Sequence, residues 1–298
     1  MFAARSPRVL LAGVSTVAGN CALPRATANT LAVLELAGAG RIRVHAGAAR
    51  PLAGRPPDAR DVHGDDGLGG CSHLLPSPRA GPRPEAAAAA LAAALRARPG
   101  AMTLVATGPL TNLALMLALD PGAAPLARHV VVMGGAVHVP GNVAPTVEFN
   151  FGYDPEAAAA VLDAAWPVTL VGLDVTGRVR MGTAQAAALD GGDAAARFCG
   201  AAVRAYAAAY ARLGDPGGAP MHDPLAAAIA VHPELVSTLQ VPVAVEMRGD
   251  LTRGMAVADR RVLERPALLR GRRTVGVSVD VDAPAAERRL LAAWGARP

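Results

Sequence analysis

Short apolar runs alternate with longer alanine-rich runs along most of this chain, and no other feature restricts its fold so strongly. The runs RVLLAGVS, RIRVHAG, MTLVATG, HVVVMGG and PVTLVGLDV are mostly apolar, which suits strands covered on both faces. Between them, RATANTLAVLELAGA, PEAAAAALAAALRARPG, PLTNLALMLAL and DPEAAAAVLDAA read as helices, three of them with Pro at or near the first turn. Strand and helix in repeated alternation predict an α/β fold, an open and mostly parallel sheet flanked by helices. Residues 183–232 read as mostly helical, VPVAVEM and TVGVSVDV predict two further strands, and PAAERRLLAAWG predicts a closing helix. No linker or internal repeat divides the chain, so residues 1–298 are expected to form a single domain. The Gly-, Pro- and charge-rich segment 50–82 predicts a long loop, a length usually kept for function or left without fixed structure.

Composition narrows the function by exclusion. Hydrophobic residues make up 52% of the chain, yet no uninterrupted apolar run reaches the roughly 18 residues of a membrane span. The net charge of +5 comes from dispersed arginines, with no lysine present. That distribution argues against a nucleic-acid footprint, and the missing lysine excludes a phosphate-binding P-loop. Cys21, Cys71 and Cys199 are odd in number and widely spaced, fitting neither a disulfide framework nor a zinc site. The opening MFAARSPRVLLAGVS carries no cleavage signal, so a reduced, cytoplasmic chain is expected.

In an open α/β sheet, ligands bind outside the carboxyl ends of the strands. Polar residues collect at those positions: Asn20 in STVAGN, Thr107 in ATGPLTN, Met133 in MGG, then Asn142, Glu148 and Asn150 in GNVAPTVEFN. His222 and Asp223 follow in MHDPLAAA. Each also has a plain structural reading. Asn20 suits a turn, Thr107 the approach to a helix, and Asp223 an N-cap ahead of Pro224, although the same position would let its carboxylate face a cation. His63 and Asp65 in DVHGDDGLGG suit a solvated loop, and Tyr206 and Tyr210, one helical turn apart, suit packing. Cys71 and His73 are too close in a Gly-rich loop to argue for a catalytic pair, and neither a G-x-S-x-G elbow nor a G-x-G-x-x-G loop after the first strand is present.

The blocks LLAGVSTVAGN, HAGAARPL, VHGDDGLGG, TLVATGPLTNLAL, VVVMGGAV, GNVAPTVEFNFGYDPEAA, VTLVGLDVT and MHDPLAAA, in this order, resemble the nucleoside hydrolases, particularly the inosine-uridine-preferring type. The resemblance implies a Rossmann-like sheet and hydrolysis of ribonucleosides to ribose and free base, with a small-molecule nucleoside as the partner. It also implies a bound calcium ion and a homodimer or homotetramer. By that similarity Asn20, Asn142, Glu148 and Asn150 bind the ribose hydroxyls, with Met133 beside the sugar. Thr107, through its carbonyl, and Asp223 hold the calcium, and His222 gives a proton to the departing base. His63, Tyr206 and Tyr210 close over that base.

One block of the family pattern has no counterpart here. The family opens with a strand ending in D-x-D-x-G-x-D-D, which supplies calcium ligands and the base for the nucleophilic water, and this chain contains no such cluster. A sheet lacking its first strand is therefore expected, with exposed strand edges, low stability and poor hydrolysis by the chain as given. A non-catalytic nucleoside- or ribose-binding paralogue is the alternative reading.

Overall fold

The computed structural model describes residues 1–261, 269 and 271–296. Its strands are β1 (Val14–Thr16), β2 (Val44–Ala46), β3 (Thr103–Ala106), β4 (His129–Met133) and β5 (Val168–Val171). They continue with β6 (Arg180–Met181), β7 (Ala219–Pro220), β8 (Val236–Val245), β9 (Ala256–Ala258) and β10 (Thr274–Val281). Six build one sheet in the order β3-β4-β5-β10-β8-β9. β3, β4, β5 and β10 run parallel, β8 pairs antiparallel with β10, and β9 pairs antiparallel with β8. The predicted α/β class and each predicted strand region are present. β9 is an addition that its short sequence, AVA, did not announce.

β4 shows why an all-apolar run makes a central strand. Val130 and Val132 point into one core with the helices Thr111–Leu119 and Pro155–Asp163. Val131 and Met133 point into the other, with His222–Ile229 and Ala283–Trp294. Side chains of a strand alternate between its faces, so a strand covered on both must be apolar throughout. Each fully buried Val contributes roughly 1.5–3 kcal/mol.

β1 and β2 pair parallel to each other as a separate ribbon. This corrects the expectation of strands buried on both faces in one parallel sheet. β3 is an edge strand, and Val105 on it is 40% exposed. The predicted run RVLLAGVS becomes strand only from Val14, whose N–H donates to Arg43 O at 2.9 Å. Residues before it have no partner strand among the described residues, and Leu10 stands 85% exposed. The carboxyl ends of the two sheets still meet. The buried Asn112, in the helix after β3, donates from Nδ2 to Thr16 O at 2.9 Å and accepts from Ala48 N at 2.8 Å. Among the described residues no helix is long and apolar enough to cross a membrane.

Candidate active site

The loop after β4 is built around one carboxylate. Glu148 is 2% exposed, and its Oε2 accepts from Gly135 N at 2.9 Å and Phe151 N at 3.2 Å while Oε1 accepts from Asn150 N at 2.9 Å. It thereby caps the short helix Phe149–Tyr153 and ties that helix to the end of β4. The MGG sequence serves this contact. Gly135 has φ +75°, a conformation L side chains rarely adopt, and a Cβ on Gly134 would sit 2.6 Å from the Phe151 ring. Asn150 Nδ2 donates to Met133 O at 3.0 Å, and Asn142 Oδ1 accepts from Phe149 N at 2.9 Å. Glu148, Asn150, Met133 and Asn142 thus form one connected unit. The loop after β1 packs against it: a Cβ on Gly19 would lie 3.1 Å from Pro109 and 3.9 Å from the Phe149 ring. Asn20 and Thr107 lie in these adjoining loops, both half-buried.

A second unit comes from the helices Ala194–Arg212 and His222–Ile229. His222 Nε2 lies 3.3 Å from the Tyr210 hydroxyl, and its Nδ1 lies 2.7 Å from Thr176 Oγ1. Tyr206 stacks edge-on against Tyr210 at 5.1 Å, and the His63 ring lies 5.3 Å from Tyr206. Arg180 sits over the Tyr210 ring at 5.9 Å. Tyrosine spacing that suited packing therefore also builds one face of a cleft.

Asp223 joins the two units. It stands in the first turn of its helix without capping it, since that helix has Met221 at its N-cap position and no side-chain cap bond. The N-cap reading is thereby corrected: helical backbone begins at His222, one residue too early for Asp223 to cap. Its side chain is exposed and makes no hydrogen bond among the described residues. The surrounding protein, and next the charge of Glu148, push its carboxyl up to about 7, a shift that water in the cleft partly offsets.

The site also carries matched titrations. Burial raises Glu148 from its ordinary 4.5 to about 7 against the opposing pull of its three N–H donors. Burial, with help from His63 and Arg180, lowers His222 from 6.5 to about 4. Glu148 favours the folded state when protonated, so its stabilisation is present below 4.5 and lost as pH rises through about 7. His222 favours it when neutral, so its stabilisation is present above 6.5 and lost as pH falls through about 4. The Glu148 and His222 contributions to unfolding free energy therefore oppose each other from about pH 4.5 to 6.5. His222→Asn, measured by denaturant titration across that range, should tilt the profile toward lower stability at the higher pH by up to about 3 kcal/mol relative to the wild type.

Asp66 organises the loop that delivers His63. Its Oδ1 accepts from Leu68 N and Gly70 N, both at 2.9 Å, and its Oδ2 from Ser72 N at 3.0 Å. Burial alone would raise its pKa, but the Gly70, Leu68 and Ser72 donors prevail and hold it at about 2. Its stabilisation is present above the ordinary carboxylate value of 3.8 and is lost as pH falls through about 2. Asp66→Ala is expected to cost about 1–3 kcal/mol and to speed hydrogen exchange of the 64–72 amides. Unchanged exchange there would remove Asp66 from this role. The long loop predicted at 50–82 is thus ordered in part by short helical turns at Arg60–His63 and Cys71–Leu74.

Sequence reasoning missed Thr176, Asp66 and Asp154. Asp154 is fully buried, accepts from Leu52 N, Thr111 Oγ1 and Ala157 N, and so anchors the loop after β2. The signal for Thr176 was available: it follows β5 as the other site residues follow their strands. Calcium takes about six to eight oxygen ligands. Among the described residues no group of three or more His, Cys, Asp or Glu is placed to hold a metal. Asp223 and the Thr107 carbonyl do not amount to a calcium site by themselves.

Carboxylate, amide, imidazole and phenol groups thus lie beyond the strand ends of a doubly wound α/β fold. Residues 1–288 match the family model described as inosine-uridine preferring nucleoside hydrolase, and the chain belongs to that family. It is 39% identical over 251 residues to a pyrimidine-specific ribonucleoside hydrolase, RihA, of Shewanella woodyi, covering 83% of this chain and 79% of that one. It is 34% identical over 278 residues to the inosine-uridine preferring nucleoside hydrolase of Leishmania major, covering 93% and 87%. Among solved structures it resembles the plant nucleoside hydrolase PpNRh1 with a TM-score of 0.92 and 32% identity, over 99% of this chain and 94% of that one.

Proposed function

We propose that this chain hydrolyses the N-glycosidic bond of ribonucleosides, releasing ribose and free base. The observation that carries the reading is the meeting of two units in one cleft, the Glu148–Asn150–Met133–Asn142 loop and the His222–Tyr210–Tyr206–His63 face, with the open carboxylate of Asp223 between them. As the bond to the base breaks, the sugar becomes oxocarbenium-like. Fixed oxygens of Asp223, Asn150, Asn142 and Asn20 would favour that developing positive charge over the ground state. The His222–Tyr210 pair would hydrogen-bond the departing base and stabilise the negative charge that develops on it, while water would supply the hydroxyl to the anomeric carbon and, in the end, the proton to the base. His63 and Tyr206 offer flat faces to either base class, so both inosine and uridine are expected substrates.

A second reading, nucleoside binding without turnover, is favoured by one observation: the sugar and base faces are both built, while among the described residues the acidic groups that would activate water reduce to Asp223 and Glu148, which already accepts three N–H bonds. Ribose release from inosine and uridine, with and without added calcium and alongside calorimetric binding, separates the readings. Release supports hydrolysis. Binding without release selects the second, and neither binding nor release overturns both.

A further inference from the structure

We propose that Thr176 is a positioning residue for His222: its buried hydroxyl donates to Nδ1, fixing the imidazole as the Nε2–H tautomer with that N–H turned toward Tyr210 and the cleft. Thr176 is fully buried, in the short helix Leu173–Thr176 directly after β5. Its Oγ1 lies 2.7 Å from His222 Nδ1 and has no other hydrogen-bond partner among the described residues. A buried hydroxyl hydrogen left without an acceptor is costly, and Nδ1 is the acceptor within reach. If instead Nδ1 carried the proton, the Thr176 hydrogen would have nowhere to go. The other imidazole nitrogen lies 3.3 Å from the Tyr210 hydroxyl, so the tautomer chosen by Thr176 sets which way hydrogen bonds run at the cleft.

The partner's chemistry has a consequence. A carboxylate behind Nδ1 would require Nδ1–H and leave Nε2 as an acceptor in the resting imidazole, the arrangement of a base. A hydroxyl has a hydrogen to give, and it leaves Nε2–H as a donor, the arrangement suited to a departing nucleobase nitrogen. No carboxylate hydrogen-bonds either nitrogen of His222 among the described residues.

The test is nitrogen NMR of the full chain with labelled histidine, the His222 signals being assigned by their loss in His222→Asn. The wild type is expected to show a protonated Nε2 and an unprotonated Nδ1. Thr176→Val should convert this to a mixture of tautomers, and Thr176→Ser should restore the wild-type pattern. An Nδ1–H tautomer in the wild type, or a pattern unchanged in Thr176→Val, would overturn the proposal. If the valine variant does not fold, the wild-type and serine spectra decide alone. This readout needs no turnover, so it stands apart from the proposed hydrolysis. The second arm rests on that reading: Thr176→Val should slow inosine cleavage on the order of tenfold in kcat, with KM little changed. Cleavage of a riboside with an activated leaving group should be nearly unaffected, and an equal loss on both would reduce Thr176 to a packing residue.

Discussion

Glu148→Ala is expected to destabilise the fold by about 3–5 kcal/mol and to abolish ribose release, the largest combined effect of any single change at this site. The wild-type carboxylate receives three backbone N–H groups, from Gly135, Asn150 and Phe151, in a position 2% exposed to solvent. Truncation strands those donors where water does not replace the lost acceptor, and an unmet buried donor costs more than a made bond gains. The helix Phe149–Tyr153 would lose its cap, and Asn150 would lose its fixed reach to Met133. Glu148→Gln separates structure from charge. It keeps the shape and one acceptor oxygen, so it should recover much of the stability while leaving catalysis weak. Denaturant unfolding reads the first effect and ribose release the second. A stability loss under about 1 kcal/mol for the alanine variant would show that the loop does not depend on this cap.

His222→Ala is expected to slow inosine cleavage by at least about 100-fold, because losing a hydrogen-bond donor placed at a developing negative charge costs roughly 100- to 1,000-fold. The same change should cost far less on a riboside whose leaving group departs as a stable anion. His222 sits at about 4, so it rests as a neutral imidazole at pH 7, hydrogen-bonded between Thr176 and Tyr210. It acts through a hydrogen bond that strengthens as negative charge develops on the base. Stability at neutral pH should fall by about 1–3 kcal/mol, because the change strands the buried Thr176 hydroxyl. Equal losses on both substrates would remove His222 from leaving-group chemistry and leave it a packing role.

The reach of the sequence differed between elements for a physical reason in each case. β4 was legible because both faces are buried, and a two-sided apolar environment leaves its mark on every residue. The helix Pro155–Asp163 was legible because Pro155 is a local signal, a first-turn proline. β3 has the same apolar sequence character but became an edge, and strand order is a long-range property that composition does not encode. Asp66 stands beside Asp65 in DVHGDDGLGG, and the sequence offers nothing to set it apart. Only its three N–H donors distinguish it from Asp65.

The sequence by itself determined the α/β class and the parallel character of the central strands, because hydrophobic period is local. Tertiary structure alone decided what the polar residues past the strand ends do. It engaged Glu148 as a cap, left Asp223 free, and placed Thr176 behind His222 across 46 residues of chain. Hydrogen-bond partners and burial are set by elements far apart in sequence, and no reading of neighbours along the chain contains them.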